Sequence, residues 1–219
     1  MLKKLQAGTG LLFAVFVAVH LANTWLAAFG PGAYDGVQGA LRTVYQFMPL
    51  EALLLAALLV HIVVGVMRIV TEPRRTLDLR GKLHRYAGFF LLVVIAGHVL
   101  AVRGPSWFFD VYPAFAGLAF SLDYLPGYFY PYYFLLGMAG FYHALNGVGI
   151  ATRRLGMVAS LGSLSTRSVA VASGACGLGL LAGLLGLGGV FFDVGDVQSS
   201  AFAQLARELL GVQSVASTP

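Results

Sequence analysis

Five histidines stand in a chain of 219 residues, and four of them keep a regular register. His20 follows Gly10 by ten residues, and His98 follows Gly88 by ten. His61 follows Pro49 by twelve and precedes Gly65 by four, while His143 follows Pro131 by twelve and precedes Gly147 by four. The pattern is a duplicated hairpin, helices one and two matching helices three and four, with one histidine on each helix. Neutral imidazole is a good metal ligand, and an ionisable group is costly to place in lipid, so such a register marks a functional site. Haem iron has two axial positions, and two opposed imidazoles fill both. Four histidines in two pairs therefore imply two b-type haems. Zinc favours ligands converging on one point, and no Cys or carboxylate partner lies near these residues. A proton relay calls for buried Asp or Glu, and the apolar stretches contain almost none.

The elements that position these imidazoles are membrane spans. Hydrophobic residues make up 58% of the chain and charged residues only 11%, which excludes a water-soluble domain and a disordered chain. The single cysteine, Cys176, excludes a disulfide scaffold, and no Cys-x-x-Cys-His is present for covalent haem attachment. Five apolar stretches read as helices, because an apolar run in lipid must satisfy its own backbone. They cover about residues 5–29, 49–70, 86–102, 131–152 and 168–192. The expected fold is an all-α integral membrane protein: one five-helix domain over residues 1–192 with a polar tail over 193–219. Helices one to four form the haem-binding bundle. The fifth, with Gly174, Gly177, Gly179, Gly183 and Gly186 and no histidine, flanks it by close packing. The first stretch exceeds the usual signal-peptide core and carries a histidine, which favours a retained helix.

Charge gives the orientation. Lys3, Lys4, Arg68, Arg74, Arg75, Arg80, Lys82, Arg85, Arg153, Arg154 and Arg167 fall on one side, against Arg42, Arg103 and Arg207 on the other. The positive-inside bias then places the N terminus in the cytoplasm and the C terminus outside. Counted from the cytoplasmic ends, His20 and His98 lie roughly 20 Å up, and His61 and His143 about 12–15 Å up. The histidines thus sort into two pairs at two depths, His20 with His98 and His61 with His143. Gly10, Gly65, Gly88, Gly137, Gly140 and Gly147 are expected to leave room for a flat macrocycle, or else to serve plain helix packing.

His84, between Lys82 and Arg85, has no counterpart at its level and is not assigned to iron. With Arg85 it could neutralise haem propionates or hold a quinone head group, or the cluster could simply flank the membrane. Glu51, the acid within a predicted span, either accepts quinol protons or snorkels to water. The aromatic segment from Arg103 to Tyr130 reads as an outer cap at the membrane boundary in preference to the wall of a ligand pocket. In the tail, residues 202–210 form an amphipathic patch that suits an interfacial helix.

These residues resemble the di-haem cytochrome b membrane anchor of succinate dehydrogenase and fumarate reductase. The matching stretches run from Gly10-Leu11-Leu12-Phe13 to His20, from Glu51 to His61-Ile62-Val63-Val64-Gly65, from Arg85-Tyr86-Ala87-Gly88 to His98, and from Tyr133 to His143-Ala144-Leu145-Asn146-Gly147. The resemblance covers about residues 5–190, and the long aromatic segment after the third span departs from it. It implies five helices with a haem-ligating histidine on each of the first four. The cytoplasm-proximal haem would lie between His61 and His143, and the distal one between His20 and His98. It further implies a flavoprotein subunit and an iron–sulfur subunit docked on the cytoplasmic face of a bacterial inner membrane, with membrane quinone as the redox partner. Two other readings stay open: a haem-b subunit of a formate dehydrogenase or hydrogenase, and a non-haem transporter with repeats.

Overall fold

The structure is a computed structural model that describes residues 1–72, 76–157 and 164–211. Eight α-helices follow in order, with no strand among the described residues: α1 (Leu2–Leu26), α2 (Pro31–Tyr45), α3 (Met48–Thr71), α4 (Leu79–Phe109), α5 (Phe115–Tyr124), α6 (Pro126–Leu155), α7 (Thr166–Leu187) and α8 (Ala201–Leu210). α1, extended by a 3₁₀ turn over Ala27–Phe29, and α3, α4, α6 and α7 are long and apolar enough to cross a membrane. The protein is an all-α, multi-pass integral membrane protein. Arg74 and Arg75, two of the cations that set the expected orientation, and the tail beyond residue 211 lie outside the described residues.

Local chemistry accounts for the ends. Asp78 caps α4 by accepting from the Gly81 amide at 2.8 Å, and Ser165 caps α7 by accepting from the Ser168 amide at 3.0 Å. These polar caps lie outside the apolar run, so α4 begins seven residues before the expected Tyr86. α4 also runs past Pro105 to Phe109, since a proline this near the C-terminal end disturbs only the last turns. α6 begins at Pro126 rather than Pro131, because proline is favoured in a first turn, where the missing amide would have no partner. α7 stops at Leu187, short of the expected residue 192, where Gly188 and Gly189 end the helix and Gly189 takes φ 76°. Gly30, at φ 105°, turns the chain from α1 into α2, a helix that apolar-run reading misses.

The spans form an arc. α1 and α6 pack along each other as the spine, α3 lies on α1, and α4 lies on α6. α3 and α4, at the two tips, do not pack backbone to backbone and meet through side chains at the capped end. α7 flanks α6 and α1, as expected of the fifth span. Its glycines make this possible: a Cβ at Gly183 or Gly186 would strike the α1 backbone at Thr24 or at Ala27, and one at Gly179 would meet the Trp25 ring at 2.8 Å. At one end of the arc α2, α5 and α8 build a cap around Tyr34, Phe115, Ala119, Phe120, Leu122 and Ala203. The amphipathic patch of the tail is indeed a helix, α8. It docks on this cap, burying Ala203 and Leu205 and setting Phe202 against Gly117. The opposite end carries most of the basic residues and is called the basic end.

Candidate functional site

Each of the four register histidines sits on a different arm of the arc: His20 on α1, His61 on α3, His98 on α4 and His143 on α6. The rings meet two by two across the arc. His20 and His98 have ring centres 6.3 Å apart at 67°, and His61 and His143 have theirs 6.2 Å apart at 88°. Neither pair joins helices that pack on each other, since α1 rests on α3 and α6, and α4 rests on α6. The imidazoles therefore meet between helices whose backbones do not pack on each other.

The pair nearer the basic end is held by a repeated set of contacts. Nδ1 of His143 lies 3.1 Å from the His84 carbonyl oxygen, which can only accept, so this ring carries its proton on Nδ1. Nδ1 of His61 lies 3.2 Å from Thr9 Oγ1, whose own proton is directed to the Leu5 carbonyl at 3.0 Å. The Gln6 carbonyl, which can only accept, also bonds this ring, so His61 is a donor as well. Both rings are left with Nε2 as the unprotonated nitrogen, the form that binds a metal, with the outer-shell acceptor fixing the tautomer. The seats are repeated too. A Cβ at Gly10 would come within 3.0 Å of His61 Cε1, and one at Gly88 within 3.0 Å of His143 Cε1. These two glycines make room for imidazoles rather than directly for a macrocycle. Gly137 serves helix packing, since its missing Cβ admits Leu180 of α7.

The pair nearer the cap is set differently. His20 stacks on Phe16 at 5.7 Å and 7°, and Tyr45 of α2 closes edge-on over Phe16 at 5.6 Å. Among the described residues no hydrogen bond reaches a ring nitrogen of His20 or His98. Beyond this pair Asn23 donates to Gln38 at 2.8 Å, and Gln38 donates to the Tyr45 hydroxyl at 2.8 Å. Burial raises the Tyr45 phenol above its ordinary range, against the Gln38 hydrogen bond and the Arg42 charge that lower it.

The bare distances test whether an axially ligated metal fits. A metal–imidazole bond of about 2 Å plus a ring half-width of about 1 Å, taken on both sides, sets ring centres about 6 Å apart. Both pairs stand at that spacing. Among the described residues no three His, Cys, Asp or Glu side chains converge as a metal cage. A metal held here by two imidazoles needs its remaining ligands from another chelator, and a porphyrin supplies four.

No family model, curated protein or solved structure matches this chain.

The remaining candidates fall at the two ends of the arc. His84 turns inward, its ring stacked on His143 at 4.2 Å and 6° with Nδ1 buried and unpartnered, whereas its neighbour Arg85 is exposed. The two residues of that cluster therefore face different surroundings. Glu51 sits at the capped end, where Arg103 grips it from α4 with Nε–Oε1 at 2.6 Å and Nη2–Oε2 at 3.0 Å. Trp107 donates to the same carboxylate at 3.2 Å, and Arg103 also bonds Ser106. This bidentate pair clasps the capped ends of α3 and α4. Sequence reasoning missed Thr9 and the carbonyl of His84. A hint lay in register: His84 precedes Gly88 by four residues, and Gln6 precedes Gly10 by four.

Proposed function

We propose that the chain is the di-haem cytochrome b anchor of a succinate:quinone oxidoreductase, carrying electrons between a flavoprotein and iron–sulfur module and membrane quinone. One observation carries the reading: four repeat-related imidazoles meet as two pairs with ring centres 6.2 and 6.3 Å apart, at the spacing of bis-imidazole ligation. Bound haem supplies one-electron redox chemistry that no side chain of the chain provides. The protein's own work is ligation, orientation and exclusion of water. His61 and His143 hold the inner site, with Thr9 and the His84 carbonyl keeping each ligand's proton on Nδ1. His20 and His98 hold the outer site, beneath the Phe16–Tyr45 contact. The apolar spans provide a low-dielectric sheath, and Glu51, the only acid within the five spans, is the group proposed to take protons from quinol.

In this reading the basic end faces the bacterial cytoplasm, where Arg85 and its neighbours meet the soluble subunits. His84 and Arg85 are the residues proposed for the propionate side of the inner haem. The test is a reduced-minus-oxidised absorbance spectrum of the purified protein with a pyridine haemochrome count. Two b haems per chain, reducible by succinate when the flavin-containing partner co-purifies, are expected. Absence of haem would overturn the reading. Haem reduced by formate or hydrogen, but not by succinate, would move the chain to another quinone-linked dehydrogenase.

A further inference from the structure

Outside the histidine pairs, two cavities open on the α1–α3 hairpin and share Lys4. The first, at the basic end, is lined by Lys3, Lys4, Arg68, Thr71, Glu72 and Arg154, among others. Four cations there surround one acid. The Arg68 guanidinium, with Lys3 assisting at 3.6 Å, holds the Glu72 carboxyl at about 2, a sign of the field at this mouth. Among the described residues Lys4 forms no ion pair. The second cavity is an apolar furrow running from Lys4 between α1 and α3, walled by Leu5, Leu12, Leu53 and Val60 over a floor that includes Gly8 and Ala57.

We propose that pocket and furrow together hold one anionic phospholipid, its phosphate against Lys3 and Lys4 and one acyl chain along the furrow. Clustered cations where a helix leaves the membrane attract anionic head groups, and the sharing of Lys4 gives pocket and furrow the form of a head and a chain. A free anion would account for the pocket and leave the furrow unexplained. An isoprenoid tail would account for the furrow and leave the cations unanswered. A peptide laid in the furrow would strand its backbone polar groups against an apolar wall, whereas hydrocarbon asks for no partner. The occupant would also brace the helix that carries Thr9, the residue bonded to His61. The proposal does not depend on the haem reading.

The test uses the full chain reconstituted in nanodiscs of phosphatidylglycerol and phosphatidylcholine, re-extracted in neutral detergent, with retained phospholipid identified by mass spectrometry. About one phosphatidylglycerol per chain is expected, enriched over phosphatidylcholine. The Lys3→Glu, Lys4→Glu double variant should lower that enrichment about tenfold. Gly8→Leu should lower retention without touching a charge: a Cβ at Gly8 meets no protein atom within 4 Å, so the larger side chain enters the furrow instead of the fold. Circular dichroism confirms that each variant keeps its helices. Equal retention of the two lipids, retention unchanged in Gly8→Leu, or a protein co-purifying on this face in place of lipid would each overturn the proposal.

Discussion

The cap helix α5 and the histidine-bearing spans are built from similar apolar residues but are packed in opposite ways. In the cap, Phe115, Ala119, Phe120 and Leu122 lie within one ten-residue helix and are all at most 3% exposed. The Phe115 amide is tied to Asp35 of α2 at 2.8 Å, so even the turn into that helix is fastened. In α3, by contrast, only Ala57 and Val64 are buried, and in the 31 residues of α4 only Gly104 is. Hydropathy does not set α5 apart from α3 and α4; surroundings do. The cap closes on itself as a small soluble domain does, while α3 and α4 turn one face to lipid and another to the imidazole pairs. One region is stabilised by its own core. The other, in the proposed reading, is completed by what its histidines hold.

That contrast can be broken first at the ligands. His61→Ala should remove the inner haem and leave one b haem per chain, read by haemochrome assay, while the cap and the outer pair stay intact. An unchanged haem count and spectrum would contradict the assignment. In the cap, Phe115→Ala should cost about 3–5 kcal/mol and lower the thermal midpoint in detergent without changing the absorbance of the folded protein. Val93→Ala on α4, a side chain 80% exposed, should stay within about 0.5 kcal/mol of the parent in the same assay.

A smaller change sharpens the comparison inside the arc. Gly10→Ala and Gly88→Ala should each displace one inner imidazole, costing about 1–3 kcal/mol and shifting the inner haem's spectrum. The two effects should be alike, and the outer haem should not respond. The smallest effect belongs to the exposed basic end. Folding lowers the Glu72 pKa from 4.5 to about 2, so its ion pair contributes fully above pH 4.5 and is lost as pH falls through 2. Infrared titration of that carboxylate, with Glu72→Gln as the blank, checks the window.

Much of the arc was legible in the chain. The register of Gly10, His20, Gly88 and His98 is visible because helical geometry turns equal spacings into equal heights. Pairing followed from depth, and the rings of each expected pair do stand together. The cap was legible only as an aromatic segment. α2 has its apolar residues interrupted by Gly32, Gly36, Gly39 and polar positions, so no continuous hydrophobic run announces it, and its burial of Tyr34 depends on partners distant in sequence. Glu51 could be seen as an acid in an apolar span, but Arg103 lies 52 residues away, and only folding brings the two together. The His84 acceptor is a backbone carbonyl, a group every residue possesses, so its role is invisible in the letter at that position.

Each hairpin, α1 with α3 and α4 with α6, lends one imidazole to each level. Neither half can complete a level by itself, yet two copies of one half would complete both. In the proposed reading a single chain therefore carries the ligand symmetry of a dimer of hairpins, while leaving each half free to differ from the other. Two positions show that difference: Thr9 stands where the second half has Ala87, and Gln6 where it has His84, whose ring stacks on His143.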